Sequence, residues 1–148
     1  MKRLWDDNEL TAEWMLEPSD QSLLANKTRG TRLGFAALLT FFRREGRFPA
    51  SKREIPATIV GHLARQVGVP AETYVAYNWH GRAIKCHRVQ IRTALGVRET
   101  SVEDADKLVH WLTAAVVPHD RALDRVRTAA YVRCRELRLE PPPLSASS

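Results

Sequence analysis

The sequence has no long apolar segment, and this absence excludes a transmembrane protein. No stretch approaches the ~20 consecutive apolar residues that a membrane-spanning helix needs. The N-terminus, MKRLWDDNEL, has two early positive charges but no apolar run behind them, so it does not resemble a secretory signal. We therefore expect a cytoplasmic protein with no membrane partner.

Cysteine is nearly absent as well. Only Cys86 and Cys134 occur in 148 residues, which excludes a disulfide framework and a four-cysteine zinc site and suits a reducing compartment. His80, Cys86 and His87 are the only local candidates for metal ligands, but neighbouring side chains on a helix point about 100° apart. Phosphate-loop, nucleophile-elbow and dinucleotide motifs are also missing. The sequence therefore predicts no metal, no cofactor and no enzyme.

Strand signals are missing too, whereas helix signals recur. We find no sustained apolar–polar alternation and no Asn-Gly hairpin. Thr31, a candidate N-cap, and Gly46, a candidate stop, frame the strongest helical segment. Ser51–Glu54 and Ser101–Asp104 both have capping-box spacing. These signals predict an all-α fold, a compact bundle of about seven short helices.

Changes in composition suggest how the chain is organised. We expect an N-terminal lead-in over residues 1–22 and a helical domain over residues 23–140. The charge balance changes near residues 96–101, which suggests a secondary boundary there. Residues 141–148 are rich in proline and serine and cannot continue a helix, so we expect a disordered tail.

Positive charge is concentrated in the middle of the chain. The formal net charge is +6 overall, but it is −4 over residues 1–20, +10 over residues 21–100 and zero over residues 101–148. A concentrated positive block favours a polyanionic partner, either nucleic acid or an anionic membrane. A basic surface that serves only solubility is the alternative at this point.

The helix predicted from Arg82 to Leu95 has a core face and a basic face. A short helix and a Gly-containing turn precede it, with a longer helix before them, which is the order of a helix-turn-helix segment with a major-groove reader. Arginine and lysine can reach guanine edges or phosphates, and valine can touch a thymine methyl group. A solvated polar face is the competing interpretation. The candidate DNA-binding residues of this helix are Arg82, Lys85, Arg88, Val89 and Arg92.

A second basic cluster lies near the start of an earlier helix. Lys27, Arg29 and Arg32 fall where backbone amides of a helix N-terminus could join them in holding a phosphate. An exposed loop that carries three charges explains the same residues. The side chains expected to form the core beneath both clusters are Phe35, Phe42, Leu63, Trp79, Ile84, Ile91 and Trp111.

Three stretches together resemble a known family. They are LLANKTRGTRLGFAALLTFFRREGRFP (23–49), REIPATIVGHLARQVGVP (53–70) continuing into YNWHGRAIKCHRVQIRTALGVRE (77–99), and AAYVRCRELRLEPP (129–142). In this order they resemble the N-terminal domain of the Tn-three family of bacterial replicative transposases. The resemblance covers most of the chain from residue 23 to residue 142.

The resemblance implies a specific role. In that family the helical N-terminal region binds the terminal inverted repeats of the transposon, and catalysis belongs to a distant C-terminal domain of RNase H-like fold. It therefore implies a bacterial, nucleoid-associated DNA-binding module without catalysis of its own. The implied partners are double-stranded transposon ends and full-length transposase or a second copy of the chain. A protein-interaction domain of a transposition complex is the alternative, and an RNA-binding regulator is a third interpretation.

Overall fold

The computed structural model describes residues 4–142, and its regular structure is almost entirely helical. The all-α prediction is confirmed, with eight α-helices among the described residues where about seven were expected. They are α1 (Asp7–Glu13), α2 (Gln21–Leu24), α3 (Arg29–Glu45), α4 (Ala57–Val67), α5 (Glu72–Ala76), α6 (Arg82–Leu95), α7 (Val102–Ala115) and α8 (Leu123–Glu136).

Four very short elements complete the described structure. Two single 3₁₀ turns, Pro18–Asp20 and Lys52–Glu54, precede α2 and α4. Strands β1 (Arg98–Glu99) and β2 (Leu139–Glu140) pair in parallel. Strands of two residues are too short to produce an alternating pattern, so they could not be predicted from the sequence.

The chain divides into two compact units, one ending at Ile91 and the other starting at Arg92. In the N-terminal unit, α3 packs against α4 and α5. All ten residues from Leu33 to Phe42 are buried, so the middle of α3 is surrounded by protein on every side. Thr40 is buried with them, and its hydroxyl donates to the Ala36 carbonyl over 2.8 Å.

The first residues of the chain also contribute to this core. Trp5, Leu10 and Trp14 are buried, and the rings of Trp5 and Trp14 meet edge to face at 5.9 Å. The Asp6 carboxylate caps α1 by accepting from the Glu9 amide over 2.8 Å. From Leu4 onward this segment is therefore part of the packed N-terminal unit.

Helix α3 begins earlier than predicted. Thr28, not Thr31, has the extended backbone of an N-cap, so Arg29 and Arg32 lie in the first turn of the helix. The end of α3 agrees with the prediction, because Gly46 has the left-handed conformation (φ 76°) that a non-glycine residue adopts only with strain.

The C-terminal unit is built on α7 and α8. Its small core consists of Leu108, Ala130, Cys134 and Leu139, with Trp111 partly buried against it. The predicted capping box of α7 is present, since the Ser101 hydroxyl accepts from the Asp104 amide and the Asp104 carboxylate accepts from the Ser101 amide. Arg98 also donates to Asp104, and these hydrogen bonds hold the pKa of that carboxyl well below its usual range.

Pro141 and Pro142 follow β2 without regular structure. The remainder of the predicted disordered tail, residues 143–148, lies outside the described residues.

Candidate nucleic-acid interface

Helix α6 has one buried face and one exposed face. Ile84, His87 and Ile91 are buried, whereas Arg82, Lys85 and Val89 are exposed. The three buried residues recur at the spacing of a single helical face, and the polar residues fall opposite. The structure therefore presents the first turns of this helix as a basic surface supported by an apolar one.

The buried face of α6 is fixed by a cluster of rings. His87 lies parallel to Tyr77 with ring centroids 5.8 Å apart and meets Phe35 of α3 edge to face at 5.2 Å. The Tyr77 hydroxyl and His87 Nδ1 share a hydrogen bond of 2.6 Å. Burial lowers the pKa of His87 to about 4, and the nearby positive charge of Lys27 contributes. The imidazole is therefore neutral near pH 7.

Tyr77 requires a glycine beneath it. A Cβ built on Gly34 would lie 2.4 Å from the Tyr77 ring, a separation that real Cβ contacts do not show. The absence of a side chain at position 34 therefore lets the tyrosine ring lie directly on the α3 backbone, and Tyr77 in turn contacts His87 of α6. This close approach sets where α6 sits relative to α3.

Two predicted contact residues are free to bind a ligand. Arg82 and Lys85 are exposed, and within residues 4–142 neither side chain has an ion-pair or hydrogen-bond partner. Their charges are fully hydrated in the free protein, so they can neutralise an incoming anion without breaking an internal interaction.

Arg92 lies differently from its prediction. Its side chain is only 14% exposed and pairs with Glu140 at 2.9 Å and with Glu99 at 3.5 Å. Helical spacing places Arg92 on the basic face with Lys85, but the carboxylates that engage it come from β1 and β2. Arg92 is therefore paired within the C-terminal unit in the free protein.

Arg88 occupies an intermediate position. Its guanidinium lies 5.6 Å from the centroid of the Phe48 ring, and its Nε is buried without a hydrogen-bond partner among the described residues. A partly buried cation that stacks on an aromatic ring has less freedom than Arg82 or Lys85 to follow a ligand. The structure therefore places Arg88 at the edge of the basic face.

Lys27 also departs from its prediction. It is only 9% exposed, its ammonium donates to Asn26 Oδ1 over 2.8 Å, and it lies 4.6 Å from the centroid of the Phe35 ring. Burial lowers the pKa of this amine. The sequence pattern could not separate Lys27 from Arg29, because the fold of the loop before α3 decides which cation turns inward.

Arg29 and Arg32 lie in the first turn of α3. Arg29 is exposed and, in the described part of the chain, has no partner. Arg32 is half-buried and donates to the Lys27 carbonyl over 3.4 Å. Lys27 contacts the ring of Phe35, which in turn contacts His87 of α6. Arg29 is the more exposed residue of the first predicted cluster.

Much of the remaining positive block is neutralised internally. Carboxylates pair with each of these arginines: Arg43, Arg44, Arg47, Arg92 and Arg98. The Arg43 guanidinium makes two hydrogen bonds, of 2.7 and 3.0 Å, to Asp20, which is 2% exposed. Net charge over a window of sequence therefore overstates the charge that can meet a ligand.

Three further exposed residues lie on or beside the basic face of α6 and were not among the predicted contacts. They are Cys86, Gln90 and Thr93. Their exposure follows from the same helical wheel that selected Arg82, but none of them carries a charge, so charge alone could not find them.

Trp79, expected in the core, is only half-buried, and its ring makes edge-to-face contacts with Tyr74 and Tyr77.

The described part of the chain contains neither a metal-binding cluster nor a membrane-spanning helix. No cluster of three or more His, Cys, Asp or Glu side chains between residues 4 and 142 is arranged to hold a metal ion. In the same residues, the helices are all too short or too polar to cross a membrane.

Comparison with known proteins places the chain in a family. The profile described as "Domain of unknown function (DUF4158)" matches residues 1–146, so the chain belongs to the DUF4158 family. It is also similar to the protein named "Transposase for transposon Tn3926" from Escherichia coli, with 25% identity over 118 residues. That similarity covers 78% of this chain but only 12% of the relative, so the chain spans a small part of the transposase's length.

Proposed function

We propose that the chain is a DNA-binding module of a transposase of the Tn-three family, and that it recognises the terminal inverted repeats of a transposon. The observation that carries the proposal is the exposed face of α6. Arg82 and Lys85 on this face are unpaired within the described residues, whereas the opposite face of the helix is buried in the core. Arg29, in the first turn of α3, is a further exposed cation of the same unit. The similarity to a transposase supplies the biological setting.

In this proposal the two kinds of basic residue have different roles. Helix α6, preceded by α4 and α5, acts as the groove-reading helix of a helix-turn-helix segment. Arg29, in the first turn of α3, contacts the phosphate backbone, where the helix N-terminus also favours an anion. The protein acts in the bacterial cytoplasm on nucleoid DNA, with full-length transposase or a second copy as a partner.

Binding of the purified chain to a transposon-end duplex tests the proposal. Lys85→Ala and Arg82→Ala should each lower specific binding by about 1–3 kcal/mol and narrow the gap between the transposon end and a scrambled duplex. Arg29→Ala should weaken both duplexes about equally. Fluorescence anisotropy measures both quantities, with thermal melting to establish that each variant is folded.

Arg121→Ala provides the matched control. Arg121 is an exposed arginine in the electrically neutral part of the chain, so its removal changes the net charge by the same amount as Arg82→Ala. It should leave specificity unchanged. Equal losses for Arg82→Ala and Arg121→Ala, or tighter binding to RNA than to duplex DNA, would contradict the proposal.

We also propose that the chain does not cleave DNA by itself. The acidic residues near helix starts are engaged in local structure, as Asp104 is in the α7 capping box. No nicking of plasmid DNA is expected with magnesium or manganese. Nicking that a single carboxylate substitution abolishes would show that this part of the proposal is wrong.

A protein-interaction role is the second candidate, and one observation favours it. The C-terminal unit leaves several apolar side chains exposed, among them Val102, Val109, Leu123 and Val132. In this case residues 101–148 would form the contact surface and the basic face of α6 would be only solvated. Concentration-dependent self-association in analytical ultracentrifugation, without duplex binding, would favour this role over the first.

A further inference from the structure

The centre of the exposed face of α6 is not charged. Residues 82, 86 and 89 follow the i, i+4, i+7 spacing of a single line along a helix. They are Arg82, Cys86 and Val89, all exposed, with Lys85 on one flank and Gln90 on the other. The line therefore starts with a long cation and continues with the thiol of Cys86 and the apolar side chain of Val89.

Val89 is an unusual residue for this position. It is 51% exposed, and a β-branched residue on a hydrated helix surface gains neither helix propensity nor burial. Its neighbours on the helix, Lys85 and Gln90, have no hydrogen-bond partner in the described part of the chain. The valine methyls are thus the apolar centre of an otherwise polar surface that no described segment covers.

We propose that α6 recognises thymine through the methyl groups of Val89, with Cys86 beside it, at a fixed distance from a contact made by Arg82. The inference rests on the proposed function, because it requires α6 to enter the major groove. There the C5-methyl of thymine is the apolar feature that distinguishes a T·A pair, and apolar side chains contact it. The guanidinium of Arg82 meets a guanine edge or a phosphate at the other end of the line.

Helix geometry sets the spacing of the recognised bases. Seven residues separate Arg82 from Val89, which is about 10 Å along the helix axis at 1.5 Å per residue. Base pairs in B-DNA rise 3.4 Å each along the duplex axis, and a helix in the major groove lies oblique to that axis, so the two contacts lie at most about three base pairs apart. The preferred site should therefore contain a thymine within about three pairs of the position that Arg82 contacts.

The experiment begins with the full chain and a pool of duplexes randomised over about 20 base pairs, roughly two helical turns. The tightest-binding duplex is then prepared with each thymine replaced singly by deoxyuridine, which removes only the methyl group. At one or two positions the wild-type chain should bind about fourfold more weakly, the value of one buried methyl group. Val89→Ala should bind the thymine duplex and the deoxyuridine duplex equally tightly at those positions.

Val109→Ala is the control, because Val109 is an exposed valine (61%) of another helix, α7. It should retain the full sensitivity to deoxyuridine. If the selected duplex binds well but no thymine methyl matters, or if Val89→Ala keeps the wild-type sensitivity, the inference is wrong while the proposed function stands. If the pool yields no enriched duplex and no binding, the proposed function fails and the inference fails with it.

Discussion

At the scale of single residues, Gly34 shows how closely α3 is approached by its neighbours. The Tyr77 ring occupies the space of a side chain at position 34. Gly34→Ala should therefore lower the free energy of unfolding by about 1–3 kcal/mol, the usual cost of forcing extra volume into a packed core. Urea denaturation monitored by circular dichroism measures the change.

Gly30→Ala, in the first turn of the same helix, is the matched control. A Cβ at Gly30 meets nothing within 4 Å, so this variant should be unchanged or more stable by up to ~1 kcal/mol, since alanine is the better helix former. Similar destabilisation in both variants would show that helix propensity, and not the contact with Tyr77, decides the outcome at position 34.

At the scale of elements, the pairing of α6 with α3 depends on a neutral His87. Its pKa is lowered to about 4 by burial and by Lys27, while an unfolded histidine titrates near 6.5. As the pH falls below 6.5 the unfolded state takes up a proton that the folded state does not. The stability present above pH 6.5 is thus lost progressively toward pH 4, by at most about 1.4 kcal/mol per pH unit.

His87→Gln should remove that part of the pH dependence. Glutamine keeps a polar group near Tyr77 but does not titrate, so the difference in unfolding free energy between wild type and variant should shrink as the pH falls from 6.5 to 4.5. Unfolding in urea at several pH values measures the difference. The carboxylates are the same in both proteins, so their contribution to the pH dependence cancels in that difference. His80→Gln, in an exposed turn, should follow the wild type. A constant difference between wild type and His87→Gln would contradict this account.

Helix capping shows where sequence reasoning succeeds and where tertiary structure overrides it. Ser101–Asp104 and Ser51–Glu54 have the same spacing, but only the first forms a capping box. The Glu54 carboxylate instead pairs with Arg47 and accepts from the Ala50 amide. Arg98 also donates to Asp104, yet that capping box forms, so a competing cation alone does not prevent capping. The difference at Ser51 is that its side chain makes no capping hydrogen bond while the Glu54 oxygens are taken by Arg47 and Ala50, which the spacing alone does not reveal.

At the scale of the whole molecule, the same competition limits what charge predicts. The helical fold follows from periodicity and stop signals, so it could be predicted from the sequence. The ion pairs of Arg92 with Glu140 and of Arg43 with Asp20 join residues far apart in the chain, so a charge count could not anticipate them. The available part of the basic block is consequently smaller than its net charge of +10 over residues 21–100 suggests.

This reduction has a measurable consequence for DNA binding. Arg29, Arg82 and Lys85 are available, and Arg32 and Arg88 are partly engaged, so about three to five phosphates would be neutralised. Each releases about 0.9 counterion from B-DNA, which predicts a slope of log K against log salt of about −3 to −4.5. Titrations of a duplex at several salt concentrations measure it. A slope near zero would remove the electrostatic basis of the proposal, whereas a slope near −10 would require the internally paired arginines to open and contact DNA.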